Sequence, residues 1–267
     1  MDIPISNLGY RTDLMLLELS GSELTDKGDY VAIRTPANPG FWWGNYLLFR
    51  TPFEPGDALK RQEMFKTEFP DAKHCSLAVD STDGTIGAVE EFEAAGLKPE
   101  IDTVMTATAT DLREPARPNE TSQYRSLTSD DDWEQQVGVE LTAATMEVDD
   151  DYRLFNRRRV AAQRALCEGG HGQWFGAFDG DRLQASLGLA TDGSGVARFQ
   201  NVQTHPDDRG QGLATTLVHR ASRYGFDELR AKTLVMVADP DYLAIRLYRS
   251  LGFGDNQMKV QITGPHS

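Results

Sequence analysis

The segment Thr204-His205-Pro206-Asp207-Asp208-Arg209-Gly210-Gln211-Gly212-Leu213-Ala214 constrains this chain more than any other stretch. It follows a β-rich run, VARFQNVQTH at 196–205, and opens a run with apolar residues at Leu213, Leu217, Val218, Ala221 and Tyr224, the spacing of one helical face. Two glycines ahead of a helix let the backbone come close to a ligand. The unpaired N–H groups of the first turn, with the helix dipole, make an anion site. Successive loop amides can also curl into a nest around a phosphate. Arg209 adds one fixed positive charge. The segment therefore predicts a site for a phosphorylated cofactor. A Walker A loop would need Gly-Lys followed by Ser or Thr, and this loop has no lysine. A dinucleotide fingerprint would need a third glycine where Thr215 stands, and would sit near the start of its domain.

The surrounding pattern alternates strand and helix. QWFGAFDG (173–180) and RLQASLGLATDG (182–193) read as two antiparallel strands joined at Asp179-Gly180-Asp181. TLVMVAD (233–239) is a short apolar run, as in a strand buried on both faces. Tyr242 to Leu251 reads as a helix stopped by Gly252, and MKVQI (258–262) as a final strand. Upstream, Asp130 to Ala144 and Asp150 to Cys167 read as helices. The acidic runs Asp130–Asp132 and Asp149–Asp151 read as N-terminal caps rather than as metal ligands.

Two motifs then converge. Arg209-x-x-Gly212-x-Ala214 matches the R/Q-x-x-G-x-G/A signature of the GNAT acetyltransferases, and Ala244 to Phe253 is similar to that family's A-x-x-LY-x-x-LGF helix. The resemblance covers roughly 120–267. It implies an N-acetyltransferase using acetyl-CoA as acyl donor and a primary amine as acceptor, on a small molecule. It implies cofactor contacts from the strand end Val202, Gln203 and Thr204, and from Arg209, Gly210, Gln211, Gly212, Leu213, Ala214 and Thr215. Tyr248 falls where many relatives carry the tyrosine that protonates the departing thiolate. Two departures stand out: Asp241 replaces an asparagine common in relatives, and Asn201 lies near a position where relatives often hold a glutamate base. Asn201 cannot act as a base; a water relay, Asp239, Asp241 or a residue of the other domain would have to. A protein or peptide amine acceptor is the alternative within enzymes, and a non-catalytic CoA-binding regulatory module the alternative outside them.

The first half shows a similar order: strand WWGNYLLF (42–49), helix Asp57 to Phe69, strand HCSLAVD (74–80), helix Thr85 to Ala95 ended by Gly96, and strand EIDTVMTATA (100–109). A single shift lays Tyr248 on Phe92, Gly252 on Gly96, Gly212 on Gly56 and Ala214 on Ala58. Under that shift Arg209 meets Phe53, Gln211 meets Pro55, and Glu54 and Asp57 bring negative charge to the loop. The expected fold is α/β (α+β): two GNAT-like domains, each a mixed, mainly antiparallel sheet flanked by helices. The first, 1–111, is degenerate; 112–119, LREPARPN, is the linker; 120–267 is the catalytic domain. The aromatic cluster Phe41-Trp42-Trp43-Gly44-Asn45-Tyr46 reads as core and inter-domain packing, with the wall of a substrate pocket between the domains as the alternative.

The net charge of −14 disfavours nucleic acid and anionic membranes as partners. No apolar run approaches the roughly 20 residues of a membrane span. The opening MDIPISNLGY has neither a basic start nor an apolar stretch, so the expected compartment is the cytoplasm. Cys75 and Cys167 form no CxxC pair, and the five histidines show no ligand-like spacing, so no metal is expected. The expected state is a monomer or homodimer.

Overall fold

The computed structural model describes residues 3–144 and 147–265. In chain order the elements are α1 Leu8–Leu19, β1 Glu23–Asp26, β2 Tyr30–Arg34, β3 Tyr46–Phe49, α2 Asp57–Glu68, β4 His74–Val79, α3 Glu90–Ala94 and β5 Lys98–Ala107. There follow β6 Gln123–Ser126, α4 Asp130–Thr142, α5 Asp150–Glu168, β7 Gly172–Asp179, β8 Arg182–Thr191 and β9 Val196–Thr204. The chain ends with α6 Leu213–Asp227, β10 Thr233–Ala238, α7 Ala244–Ser250 and β11 Gly254–Pro265. These elements fall into two compact units. One comprises Met1–Val104, Val237–Pro240 and Asp255–Ser267; the other comprises Met105–Met236 and Asp241–Gly254.

In the first unit the strand order is β1-β2-β3-β4-β11-β5. β3 and β4 are parallel, with Leu47 opposite Leu77, and α2 makes the crossover between them. The C-terminal strand β11 pairs antiparallel with β4, Val260 facing Val79 and Ile262 facing Leu77. Strand side chains alternate between faces. Leu47 and Phe49 accordingly join Phe53, Phe65 and Phe92 on one face, and Tyr46 and Leu48 meet Tyr10, Leu14 and Leu17 of α1 on the other.

Two sequence expectations change here. The stretch 42–49 is not one strand, because Trp42–Gly44 is a 3-10 turn and only Tyr46–Phe49 is extended. The buried Asn45 side chain holds that turn: its Nδ2 donates to the carbonyls of Phe41 and Asn38, and its Oδ1 accepts from the Thr35 N–H. Trp42 stacks on His74, with ring centroids 5.3 Å apart. The helix expected over 85–95 shrinks to Glu90–Ala94, because the backbone around Gly87 pairs with Phe53 instead. Helix α1 and strands β1, β2 and β6 add to the elements read from sequence. The signal for α1 is present in its Asn7 cap and in Tyr10, Leu14 and Leu17 at helical spacing.

In the second unit the order is β10-β9-β8-β7-β6, antiparallel except for the parallel pair β9–β10. Trp174 and Phe175 are adjacent on β7 and so reach opposite faces. Trp174 lies against Trp133 of α4, and Phe175 against Tyr224 of α6. Helices α4 and α5 therefore cover one face and α6 the other. The acidic runs act as caps. Ser129 and Asp132 form a capping box on α4, and Asp149 accepts from the Tyr152 N–H at the start of α5. Among the described residues, no helix is long and apolar enough to cross a membrane.

Candidate functional site

β9 and β10 run side by side from Val196–Thr233 to Arg198–Val235, and β9 continues beyond that register to Thr204. On its other edge β9 carries a bulge. Ser186 faces Gln203 and Gly188 faces Gln200, so β9 spends one more residue than β8 between these pairs. The irregularity is centred on Asn201, whose φ is +46°. Asparagine tolerates this left-handed region better than other residues with a β-carbon. The bulge thus sets the course of Val202, Gln203 and Thr204.

Beyond Thr204 the chain makes a 3-10 turn, Pro206–Asp208, which carries Arg209 on its exposed C-terminal side. Asp208 is buried, but Arg182 pairs with it through two bonds of 2.7 and 2.8 Å and Gln184 donates at 2.8 Å. The Arg182 pairing holds its carboxyl below the usual carboxylate range and neutralises it at the edge of the loop. Gly212, with φ +76°, is the N-cap of α6. A β-carbon there would also stand 2.9 Å from the Arg117 carbonyl oxygen, so the position demands glycine on two counts. Asn119 braces the loop: its Nδ2 donates to the Gln211 carbonyl at 3.1 Å, and its N–H donates to Thr216 Oγ1 at 2.8 Å.

The start of α6 differs from that of the other long helices of this unit. No side chain of the N-cap accepts from its first turn, and no acidic residue stands in it, whereas α4 and α5 are capped by oxygens and carry two or three aspartates there. The amides of Leu213, Ala214 and Thr215 thus lack a side-chain cap, an arrangement that can hold an anion. Leu213 is buried and contributes backbone only, Ala214 and Thr215 are half-buried, and Gly210 and Gln211 are exposed.

The first unit provides an internal control. Gly56, with φ +89°, caps α2 just as Gly212 caps α6. There, however, Glu91 Oε1 accepts from the Gly56 N–H at 3.0 Å, and Asp57 Oδ2 accepts from the Glu54 N–H at 3.1 Å. Phe53, in place of Arg209, is buried with its ring 4.8 Å from Phe92, and its N–H and C=O are both taken by the 86–88 backbone at 2.9 Å. The chain's own carboxylates and backbone close the equivalent loop.

Tyr248 lies on α7 and is 5 % exposed. Its ring meets Phe253 edge-on at 6.5 Å, and Phe253 meets Phe199 of β9 at 5.8 Å, so one aromatic chain ties the tyrosine to β9. Burial, and then the neighbouring Tyr242, pushes the hydroxyl well above the ordinary tyrosine range. Asp239 and Asp241 are exposed. His205 is half-buried, and His219 lies 3.4 Å from Glu114.

Sequence reading missed a polar cluster on the α4–α5 face. Glu140 of α4 is 1 % exposed. It accepts from Gln136 (2.9 Å), Asn156 (2.8 Å), Gln163 (3.1 Å), Asn201 (3.0 Å) and two nitrogens of Arg159. The available signal was polar residues at helical spacing, Asn156 and Gln163, on either side of the buried Val160 of α5.

Comparison with known proteins agrees with this geometry. Residues 141–253 match the acetyltransferase (GNAT) family, and this stretch of the chain is a GNAT domain. At the level of the whole chain, the fold is similar to a GCN5-related N-acetyltransferase from Kribbella flavida, with 15 % identity, a TM-score of 0.64, and 98 % of this chain and 97 % of that one covered. It is also similar to a functionally unknown conserved protein from Staphylococcus epidermidis, with 14 % identity, a TM-score of 0.74, and 92 % and 95 % covered. A tandem GNAT protein from the clavulanic acid biosynthesis pathway shares 18 % identity at a TM-score of 0.55, over 77 % of this chain and 68 % of that one. At these identities the likeness is one of fold. No curated protein matches the sequence significantly.

Proposed function

We propose that this protein is an acetyl-CoA-dependent N-acetyltransferase of the cytoplasm that acts on a primary amine of a small molecule. In this reading 120–267 is the catalytic domain, 112–119 the linker and 1–111 a degenerate copy that does not bind acetyl-CoA. The observation that carries the proposal is the contrast between two loops of one chain: the start of α6 has no acidic residue, while the start of α2 carries Asp57 in its first turn and Glu91 on the Gly56 N–H.

The residues around the α6 loop suit a pyrophosphate. Arg209 supplies charge, and Gly210 to Thr215 supply backbone amides in a nest at a helix start. Val202, Gln203 and Thr204 would hold the pantetheine arm, and the Val202 amide, fixed by the bulge beside it, would donate to a developing oxyanion without reorganisation. When bound, acetyl-CoA supplies an acyl group already activated as a thioester. Tyr248 keeps a proton on its Oη throughout the physiological range, because burial disfavours the phenolate. It would therefore donate a hydrogen bond to the departing thiolate and pass its proton on as Oη regains one from the ammonium formed by amine attack, so that no buried phenolate is left; it does not serve as a base.

Turnover of an amine panel, followed by thiol release, tests the reading. Release with at least one amine, and its loss in Arg209→Ala, is the expected result. Silence across the panel together with tight CoA binding would make the protein a CoA-binding regulatory module instead.

A further inference from the structure

We propose that Glu140 is a positioning residue that holds the bulge at Asn201 in its left-handed conformation and thereby aims the Val202–Thr204 amides. The inference builds on the reading of β9 as the cofactor strand. Asn201 is one of two residues other than glycine with positive φ among the described residues. Its Nδ2 donates to Glu140 Oε1 at 3.0 Å. That single bond joins the strained residue of β9 to a carboxylate that four further side chains, from α4 and α5, fix in place.

The cluster is organised around the carboxylate. Gln136, Asn156 and Gln163 all turn their amide nitrogens toward Glu140, and their carbonyl oxygens are buried without a hydrogen-bond partner. Buried acceptors normally find donors. Here three of them go without, so that Glu140 is surrounded by donors on both oxygens. Glu140 is thereby ruled out as the base: it is 1 % exposed and its acceptor positions are filled from within the protein. What it can do is immobilise. The side chain of Asn201 is the part of this network that belongs to the strand carrying the site.

The test uses the full chain and two readouts. Glu140→Gln keeps the side-chain shape but places two N–H groups in a ring where Arg159 can only donate. Backbone hydrogen exchange over 200–204 in the free protein is expected to rise by about tenfold or more, reporting local opening. The Kd for CoA, measured by calorimetry, is expected to weaken about fivefold, since a loosened site binds in proportion to its competent fraction. Adding Asn201→Gly, which adopts positive φ without a clamp, is expected to restore CoA affinity to within about twofold while leaving the melting temperature low. A merely structural role for Glu140 would give no such rescue, and that result would overturn the proposal, as would unchanged exchange and affinity in Glu140→Gln. Should Glu140→Gln fail to fold, the single variants decide: CoA affinity should survive Asn201→Gly and fall in Asn201→Ala, and equal affinities would overturn the clamp. If the wild-type chain does not bind CoA, the functional proposal fails, while the exchange comparison still judges the clamp.

Discussion

At the scale of single residues, environment decides what each group can do. Tyr248 and Phe92 occupy corresponding buried positions on α7 and α3, yet only one carries a hydroxyl. Tyr248→Phe should lower kcat about 100-fold and leave the CoA Kd unchanged, as for loss of a general acid. An equal kcat would assign the proton to another donor. Asp132 shows how a structural carboxylate differs from a reactive one. It is buried, it accepts from Arg125 at 2.7 and 2.8 Å, and the N–H groups of Thr128 and Ser129 also donate to it. The Arg125 bonds hold its carboxyl well below the usual range. A depressed folded-state value means that this stability is fully present above the unfolded value of about 4 and is lost progressively as pH falls from there through the lower folded-state value. Asp132→Ala should cost about 2–4 kcal/mol at pH 7, and chemical denaturation should find a smaller penalty at pH 3. The same penalty at both pH values would show that the Asp132 charge contributes nothing to the loss.

At the scale of elements, a loop becomes an anion site or a closed turn through very few substitutions. Gly212→Ala would force a β-carbon into a left-handed position and against the Arg117 carbonyl. It should cost about 1–3 kcal/mol of stability and weaken CoA binding about tenfold or more, read by thermal melts and calorimetry. Wild-type affinity in that variant would place the cofactor elsewhere. This part of the site was legible in the sequence because it is local: strand end, glycines and helix start are contiguous, and α6 shows its buried stripe directly. The Glu140 cluster was not legible. It draws on α4, α5 and β9, and each of its residues looks like an ordinary polar helix residue until the elements are packed. The shortened α3 has a similar cause, since the pairing of Phe53 with Gly87 joins two distant loops and overrides helical propensity. The turn at Trp42–Gly44 follows from Asn45, whose side chain competes with strand pairing.

At the scale of the molecule, the two halves correspond in conformation as well as in sequence. Each half holds a parallel pair bridged by a helix that starts after a left-handed glycine, Gly56 or Gly212, and each follows it with a helix that ends before another, Gly96 or Gly252. The last strand does not follow the order of the sequence, because β11 belongs to the first compact unit, with Val260 and Ile262 fully buried there. No local signal at 258–262 could reveal this, since pairing register is a long-range property. A fragment spanning 120–267 would expose those side chains, each worth about 1.5–3 kcal/mol of burial. It should therefore leave the 258–262 amides unprotected in hydrogen exchange, and protection there equal to that in the full chain would contradict the topology. The central claim is that one chain carries two related loops and only the second binds the cofactor. Calorimetric titration of CoA into the full chain tests it most directly. One site per chain, lost in Arg209→Ala, is the predicted result; two sites, or unchanged stoichiometry and affinity in Arg209→Ala, would contradict it.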